Sequence, residues 1–289
     1  MDSLVSTEWL ASNLGAADLR VLDCTVFLRP PTDPAAGRAS YVQESGRVDW
    51  ERAHIPGSVF ADLAGDLSEP GTRLPFTMPS AERFAAAMER LGVGDATRVV
   101  CYDANMSMWA ARVWWMLRAF GFDNAAVLDG GWKKWSLEGR PATTETPSWP
   151  SARFNARPRP GLIASREDVL AAVKDGSTCI VDALTPAQFR GEGPAVYGRP
   201  GHIVSSVNVS ARDMVDRETG AYLPLDVLRA RFAEVGATGA GRVITYCGGG
   251  IAATSDALVL TLLGHANVAV YDGSLSEWAR DPSLPMETA

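Results

Sequence analysis

The sequence predicts an α/β protein of two similar domains, each a parallel sheet covered by helices on both faces. Three observations carry that expectation. Short β-branched runs alternate with helical stretches along the chain, the runs are apolar at consecutive positions, and the first half recurs in the second. Continuous apolar strands separated by helices are what a parallel sheet buried on both faces requires. Self-similarity over half the chain means that one fold is written twice.

The repeat is read from landmarks in chain order. Ser6, Glu8 and Asp23 of "STEWLASNLGAADLRVLD" match Ser165, Glu167 and Asp182 of "SREDVLAAVKDGSTCIVD", each pair 159 apart. His54 of "AHIPGSV" pairs with His202 of "GHIVSSVNV" at an offset of 148, and Asp103 of "RVVCYDA" with Cys247 of "RVITYCG" at 144. Asp129 and Trp135 of "NAAVLDGGWKKW" pair with Asp272 and Trp278 of "NVAVYDGSLSEW" at 143. The shrinking offset places insertions in the first copy. Most fall in "FLRPPTDPAAGRASYVQESGRVDW", whose Pro and Gly content marks an irregular loop. The expected domains are therefore 1–142 and 161–289. Residues 143–160 between them, rich in Pro, Ser and Thr, read as a linker lying over the surface. The strands of the first copy are "RVLDCTVF", "RVVCYD" and "AAVLDG"; those of the second are "CIVDAL", "RVITYC" and "VAVYDG". Segments such as "SAERFAAAMERLG" and "DALVLTLLG" supply the covering helices.

Composition narrows the function classes. A length of 289 residues suits two cores, and 46% hydrophobic with 21% charged residues is ordinary for folded protein. A net charge of −7 argues against a nucleic-acid partner, although local amides and a few arginines can still hold a small anion. No run approaches the roughly 18 apolar residues of a membrane span, and "MDSLVSTEWLASNLG" lacks the pattern of a secretory signal. The expected location is cytoplasmic, with no membrane partner. Three histidines and four scattered cysteines with no CxxC pair leave neither a zinc site nor a disulfide framework.

Among the cysteines, Cys24, Cys101 and Cys179 lie in or beside apolar strand runs and read as small buried hydrophobes. Cys247 differs. It ends a strand, precedes Gly248, Gly249 and Gly250, and is followed by the helix-like "IAATSDALVLTLLG". Glycines let successive amides converge on one point, and a helix start adds free N–H groups and the positive end of a dipole. A thiolate there is expected below the ~8.5 of a free cysteine. Taken alone, the stretch fits either a nucleophile or a glycine-rich turn with a chance cysteine. The repeat favours the nucleophile, because the first copy places Asp103 at the same point and runs on without the glycines. A phosphatase would need an arginine six residues after the cysteine to clamp phosphoryl oxygens. That position is Ala253, and the loop Cys247–Ala252 is tight for phosphate but suits one added sulfur.

With "HIPGS", "RVVCYDA", "LDGGWKKW", "FRGE", "GHI", "YCGGGIAAT" and "YDGSLSEW" in this order over nearly the whole chain, the protein resembles the tandem-domain rhodanese family of thiosulfate and 3-mercaptopyruvate sulfurtransferases. The resemblance implies two rhodanese-like domains, the first catalytically silent with Asp103 at the cysteine position. It implies a sulfurtransferase that moves a sulfane sulfur from a small anionic donor to cyanide, a thiol or a thiol protein through a Cys247 persulfide. The amides of Gly248, Gly249, Gly250, Ile251 and Ala252 would cradle the transferred sulfur, and no metal or organic cofactor is needed. Family comparison puts Arg190 near the donor's anionic group, with Arg199 a second cation; either also reads as a structural loop arginine. His54 and His202, present in both copies, read as structural. Asp129 and Asp272 read as turn formers, and Trp109, Trp114 and Trp115 as core or domain-interface packing. Relatives that favour thiosulfate carry basic residues where Gly248 and Gly249 stand. Those that favour 3-mercaptopyruvate carry a serine at Gly249 and a histidine near Phe76. An arginine common in the family is replaced by Leu184. These departures keep open a second reading, a low-turnover persulfide carrier or binding module for a protein partner.

Overall fold

Capping serines open both halves. Ser6 accepts the Trp9 N–H at 3.0 Å and starts the helix Thr7–Asn13. Ser165 accepts the Asp168 N–H at 3.1 Å while the Asp168 carboxylate accepts the Ser165 N–H at 2.8 Å, a reciprocal capping box that starts Arg166–Asp175. The computed structural model describes residues 1–29 and 42–288. Among these, Met1–Phe27, Gln43–Arg159 and Asp216–Tyr222 cluster as one unit and the remainder as the other.

The first unit contains a five-stranded sheet of β1 (Leu4–Val5), β2 (Leu19–Asp23), β3 (Ser58–Phe60), β4 (Arg98–Tyr102) and β5 (Ala125–Leu128). The order is β1-β5-β4-β2-β3 and every pairing is parallel. The second unit repeats it with β6 (Ile163–Ala164), β7 (Cys179–Asp182), β8 (Val207–Asn208), β9 (Val243–Tyr246) and β10 (Val268–Tyr271), in the order β6-β10-β9-β7-β8. Register is conserved as well as order: Asp23 pairs with Tyr102 in one sheet and Asp182 with Tyr246 in the other. Helices flank both sheets, so the central strands β4 and β9 are buried along almost their whole length, as expected when both faces are covered.

One central helix in each unit is buried nearly all round. Met108–Ala119 buries Trp109, Trp114 and Trp115, and Ala252–Leu262 buries Ala253 through Leu260. Cys24 and Cys101 are buried as expected, whereas Cys179, at the start of β7, is only partly so.

One expectation changes. Residues 30–41 of the expected irregular loop lie outside the described residues, and its flanks are ordered: Val26–Arg29 and Val42–Ser45 are strands and Arg47–Arg52 is a helix. The expected linker, mostly exposed, lies over the surface of the first unit and is anchored there by two aromatic residues. Phe154 is buried beside Phe84 and Phe122, with ring centroids 5.6 Å from each, and the Arg20 guanidinium stacks 4.0 Å over the Trp149 ring.

Candidate active site

Ligands of open parallel sheets bind beyond the carboxyl ends of the strands, and Cys247 is the residue that follows β9, the middle strand of five. Tyr246, the last residue of β9, is fully buried; its hydroxyl meets Ser206 Oγ at 2.8 Å and accepts the Ile203 N–H at 3.1 Å. Tyr102 makes the same pair of contacts with Ser58 and Ile55 in the first unit. The strand end is thus pinned before the chain turns.

The turn from Cys247 to the helix at Ala252 is shaped from beneath by Ser274–Ser276. Ser274 Oγ accepts the N–H groups of Cys247 and Gly250, each at 3.1 Å, and donates to the Tyr271 carbonyl at 2.8 Å. Ser276 Oγ donates to the Gly248 carbonyl at 2.6 Å, and the Leu275 N–H donates to the Cys247 carbonyl at 3.0 Å. Gly250 has a φ of 75°, a conformation that glycine adopts without penalty. Gly248 is glycine for another reason: a Cβ there would lie 2.0 Å from the Tyr197 ring.

Gly249 and Ile251, expected among the cradle amides, hydrogen-bond toward the Cys247 sulfur, and Ala253 joins them. The Gly250 amide is instead given to Ser274. The thiol itself does not follow the expected depression. Cys247 is 3% exposed, and burial pushes its thiol above the ordinary value; the Ala253 and Gly249 amides pull it back, and the Asp182 charge adds to the rise. Loss of water outweighs three amides. Asp182, at the end of β7, is itself pushed up to about 7 by burial, against hydrogen bonds from the Leu184 N–H and the Tyr246 hydroxyl. Asp256, on the helix after the loop, is fully buried with neither oxygen partnered among the described residues, and burial raises it strongly.

The first unit keeps the cradle and fills it. The Asp103 carboxylate accepts the N–H groups of Asn105 at 2.6 Å, Ser107 at 3.1 Å and Ala110 at 2.8 Å. Asn105 and Ser107 stand at the same spacings from Asp103 as Gly249 and Ile251 do from Cys247. Two amides at matching spacings therefore meet a built-in carboxyl group in one copy and a sulfur in the other, the third donor being Ala110 in the first and Ala253 in the second.

Both arginines have partners within the protein. Arg190 follows the short helix Pro186–Phe189, is exposed, and pairs with Glu192 through Nε at 2.7 Å and a terminal nitrogen at 3.0 Å. Arg199 donates to the carbonyls of Ala279, Asp281 and Leu284 at 3.2, 2.6 and 2.9 Å, which ties the chain end to the second unit's body. The histidines hold backbone: His54 Nδ1 lies 2.7 Å from the Trp50 carbonyl and His202 Nδ1 lies 2.7 Å from that of Phe189. Asp129 accepts the Tyr222 N–H at 2.8 Å.

Ser274, Ser276, Tyr197 and Asp256 escape a reading of the sequence. Only Ser274 carried a signal: it aligns with Gly131 in the repeat, and both have left-handed backbones, with φ of 48° and 52°. Among the described residues there is no group of three or more acidic, His or Cys side chains that could hold a metal, and no helix long and apolar enough to cross a membrane.

A rhodanese-like domain model matches residues 6–138 and again 165–281. The chain is 34% identical to the 3-mercaptopyruvate sulfurtransferase of Escherichia coli K12, covering 98% of this chain and 97% of that protein. It is 34% identical to the human 3-mercaptopyruvate sulfurtransferase, with 96% and 91% covered, and 34% identical to the rat thiosulfate sulfurtransferase, with 99% and 94% covered. The crystal structure of SseA from Escherichia coli, a 3-mercaptopyruvate sulfurtransferase, superposes with a TM-score of 0.80 at 29% identity over 95% of this chain and 99% of that one.

Proposed function

The chain belongs to the rhodanese family, with two rhodanese-like domains in tandem, and from that premise we propose that it is a sulfurtransferase whose first domain (1–142) is silent and whose second (161–289) carries the reactive Cys247. The enzyme moves a sulfane sulfur from thiosulfate or 3-mercaptopyruvate to a thiophilic acceptor. The Cys247 thiolate attacks the outer sulfur of the donor. A sulfur–sulfur bond forms and the bond between the transferred sulfur and the rest of the donor breaks; sulfite leaves with its electron pair, or the enolate of pyruvate leaves and takes up the proton given by the donor's thiol. Cyanide or a thiol then attacks the terminal sulfur, and the electron pair of the breaking bond returns to Cys247. The amides of Gly249, Ile251 and Ala253 face the charge that develops on the transferred sulfur, the Gly250 amide being held by Ser274, and Arg190 meets the donor's anionic end. Arg199 serves by holding the segment on which both lie.

One observation carries this reading: the same amide turn closes on a carboxylate at Asp103 and on the sulfur at Cys247. A turn whose amides converge on carboxyl oxygens in one copy presents the same kind of donors to the sulfur in the other. Free thiols at all four cysteines suit the reducing cytoplasm. The burial of Cys247 favours a second reading, a persulfide carrier that turns over slowly and unloads onto a protein thiol. Intact-mass measurement after incubation with each donor tests both. One labile sulfur is expected per chain and none in Cys247→Ser; sulfur on Cys101, or none with either donor, would defeat the assignment. Cyanide-driven turnover with the loaded protein separates enzyme from carrier.

A further inference from the structure

Residues 274–276 hold successive backbone groups of the cysteine turn. Ser274 Oγ accepts the Cys247 N–H at 3.1 Å, and the Leu275 N–H donates to the Cys247 carbonyl at 3.0 Å. The Gly248 carbonyl accepts both the Ser276 N–H at 2.9 Å and the Ser276 hydroxyl at 2.6 Å. That carbonyl and the Gly249 N–H belong to one planar peptide, and in a trans peptide they point to opposite sides. With the carbonyl turned onto Ser276, the N–H is turned away from it, to the Cys247 sulfur that it meets. We propose that Ser276 is a positioning residue for sulfur transfer: by taking the Gly248 carbonyl on two donors it aims the Gly249 amide at the sulfur and keeps that peptide from turning over. The inference rests on the sulfurtransferase reading only for what the sulfur carries.

This peptide needs holding. Glycines flank it on both sides, and without Cβ atoms the rotation that exchanges carbonyl and N–H meets no side chain of its own. A turned peptide would bring a carbonyl oxygen to the sulfur, where it repels a thiolate or a persulfide anion. Gly248 cannot give way to a stiffer residue, because a Cβ there would lie 2.0 Å from the Tyr197 ring. The restraint therefore comes from outside the loop, from a serine that is 5% exposed and lies in the helix Ser274–Trp278.

The first unit holds the matching amide by other means. There the Trp132 N–H donates to the Asp103 carbonyl at 3.0 Å, as Leu275 does to Cys247, but the position of Ser276 is Lys133. Its ammonium donates to the Arg217 carbonyl at 2.6 Å. The peptide corresponding to Gly248–Gly249 is Ala104–Asn105, and its N–H donates to the Asp103 carboxyl group at 2.6 Å. A strong built-in acceptor fixes the amide in that copy. A thiol sulfur is a weak acceptor, so in the second copy the same peptide is fixed through its carbonyl.

The test uses the full reduced chain at neutral pH and follows iodoacetamide alkylation of the Cys247 peptide by mass. Ser276→Ala removes the hydroxyl and leaves the N–H. A misdirected amide stabilises the thiolate less. An about tenfold loss of thiolate is partly offset by the greater nucleophilicity of a more basic sulfur, so alkylation is expected to slow about threefold. Ser276→Thr keeps the hydroxyl and should react close to the wild-type rate. A merely structural role predicts the opposite sign, since looser packing around a thiol that is 3% exposed admits the reagent. Alkylation at or above the wild-type rate in Ser276→Ala, or Ser276→Thr as slow as Ser276→Ala, would overturn the proposal. Should the variants fail to fold, amide exchange in the wild type labelled with 15N-glycine decides. The half-buried Gly249 N–H is expected to be protected roughly a hundredfold or more, and exchange at the rate of an open amide would refute the lock. Iodoacetamide carries no sulfur, so a chain that forms no persulfide would sink the sulfurtransferase reading while these rates still judged Ser276.

Discussion

Replacing Ser274 separates two roles that its position combines. Its hydroxyl accepts two amides of the cysteine turn and donates to the Tyr271 carbonyl, all in a fully buried site. Removing it leaves the N–H groups of Cys247 and Gly250 without that acceptor, at roughly 1–3 kcal/mol for each buried group left unsatisfied. Ser274 also sits at a φ of 48°, where a side chain costs about 1–2 kcal/mol relative to glycine. Ser274→Ala loses the hydroxyl and keeps the strain, for a destabilisation of about 2–6 kcal/mol. Ser274→Gly loses the hydroxyl but sheds the strain, and is expected to be about 1 kcal/mol more stable than the alanine variant. That order reverses the ordinary helix preference for alanine, although Ser274 opens the helix Ser274–Trp278. If about 2 kcal/mol of the lost support is felt in the transition state, turnover falls roughly 30-fold in both variants. Urea unfolding and cyanide-coupled turnover measure the two quantities. An alanine variant more stable than the glycine variant, or full turnover in either, would refute the reasoning.

The remaining predictions concern charge. Burial raises the Asp103 carboxyl to about 7, above its unfolded value of roughly 4, so the folded state holds a proton that the unfolded state releases first. Its contribution to stability is complete below pH ~4 and is lost as pH rises to about 7, by at most about 4 kcal/mol. Asp103→Asn should flatten that part of the stability curve without removing it, since burial raises Asp182 to about 7 and raises Asp256 strongly as well; an unchanged slope would count against the assignment. Arg190→Ala should raise KM for both anionic donors and leave the thermal midpoint where it was, because its only described ion pair is with solvated Glu192. Arg199→Ala should lower the midpoint, at about 2 kcal/mol or more for the carbonyls it abandons; a fall in activity with no change in midpoint would make Arg199 a substrate contact instead.

The fold and the special position of Cys247 were legible because each leaves a local mark. Apolar runs such as "RVITYC" and "VAVYDG" report a covered parallel sheet, and the offset repeat aligned Asp103 with Cys247 before any geometry was known. The supports of the loop are contributed from a distance and carry no periodic signal. Tyr197 meets Gly248, and Ser276 meets the Gly248 carbonyl, only after the sheet has closed. The level of the thiol was misjudged for the same reason. Amides and a helix start are visible as glycines before an apolar segment, whereas the loss of water around Cys247 depends on everything packed against it. The partners of Arg199 were hidden from the sequence as well, because they are backbone carbonyls, which every residue has.

The three glycines after Cys247 do not answer to one requirement. Gly250 turns the chain at a φ of 75°. Gly248 yields its side-chain volume to a tyrosine from another segment. Gly249 presents its amide to the sulfur and is half-buried. In the first unit none of the three positions is glycine, yet the amides still converge, because the Asp103 carboxylate is there to hold them. The anion organises the turn in that copy. In the second copy the resting thiol is kept neutral by burial and cannot do so alone, so Ser274 and the glycines hold the turn open in advance. In the proposed reaction, a sulfur added to Cys247 brings its charge to the Gly249, Ile251 and Ala253 amides that already face this position.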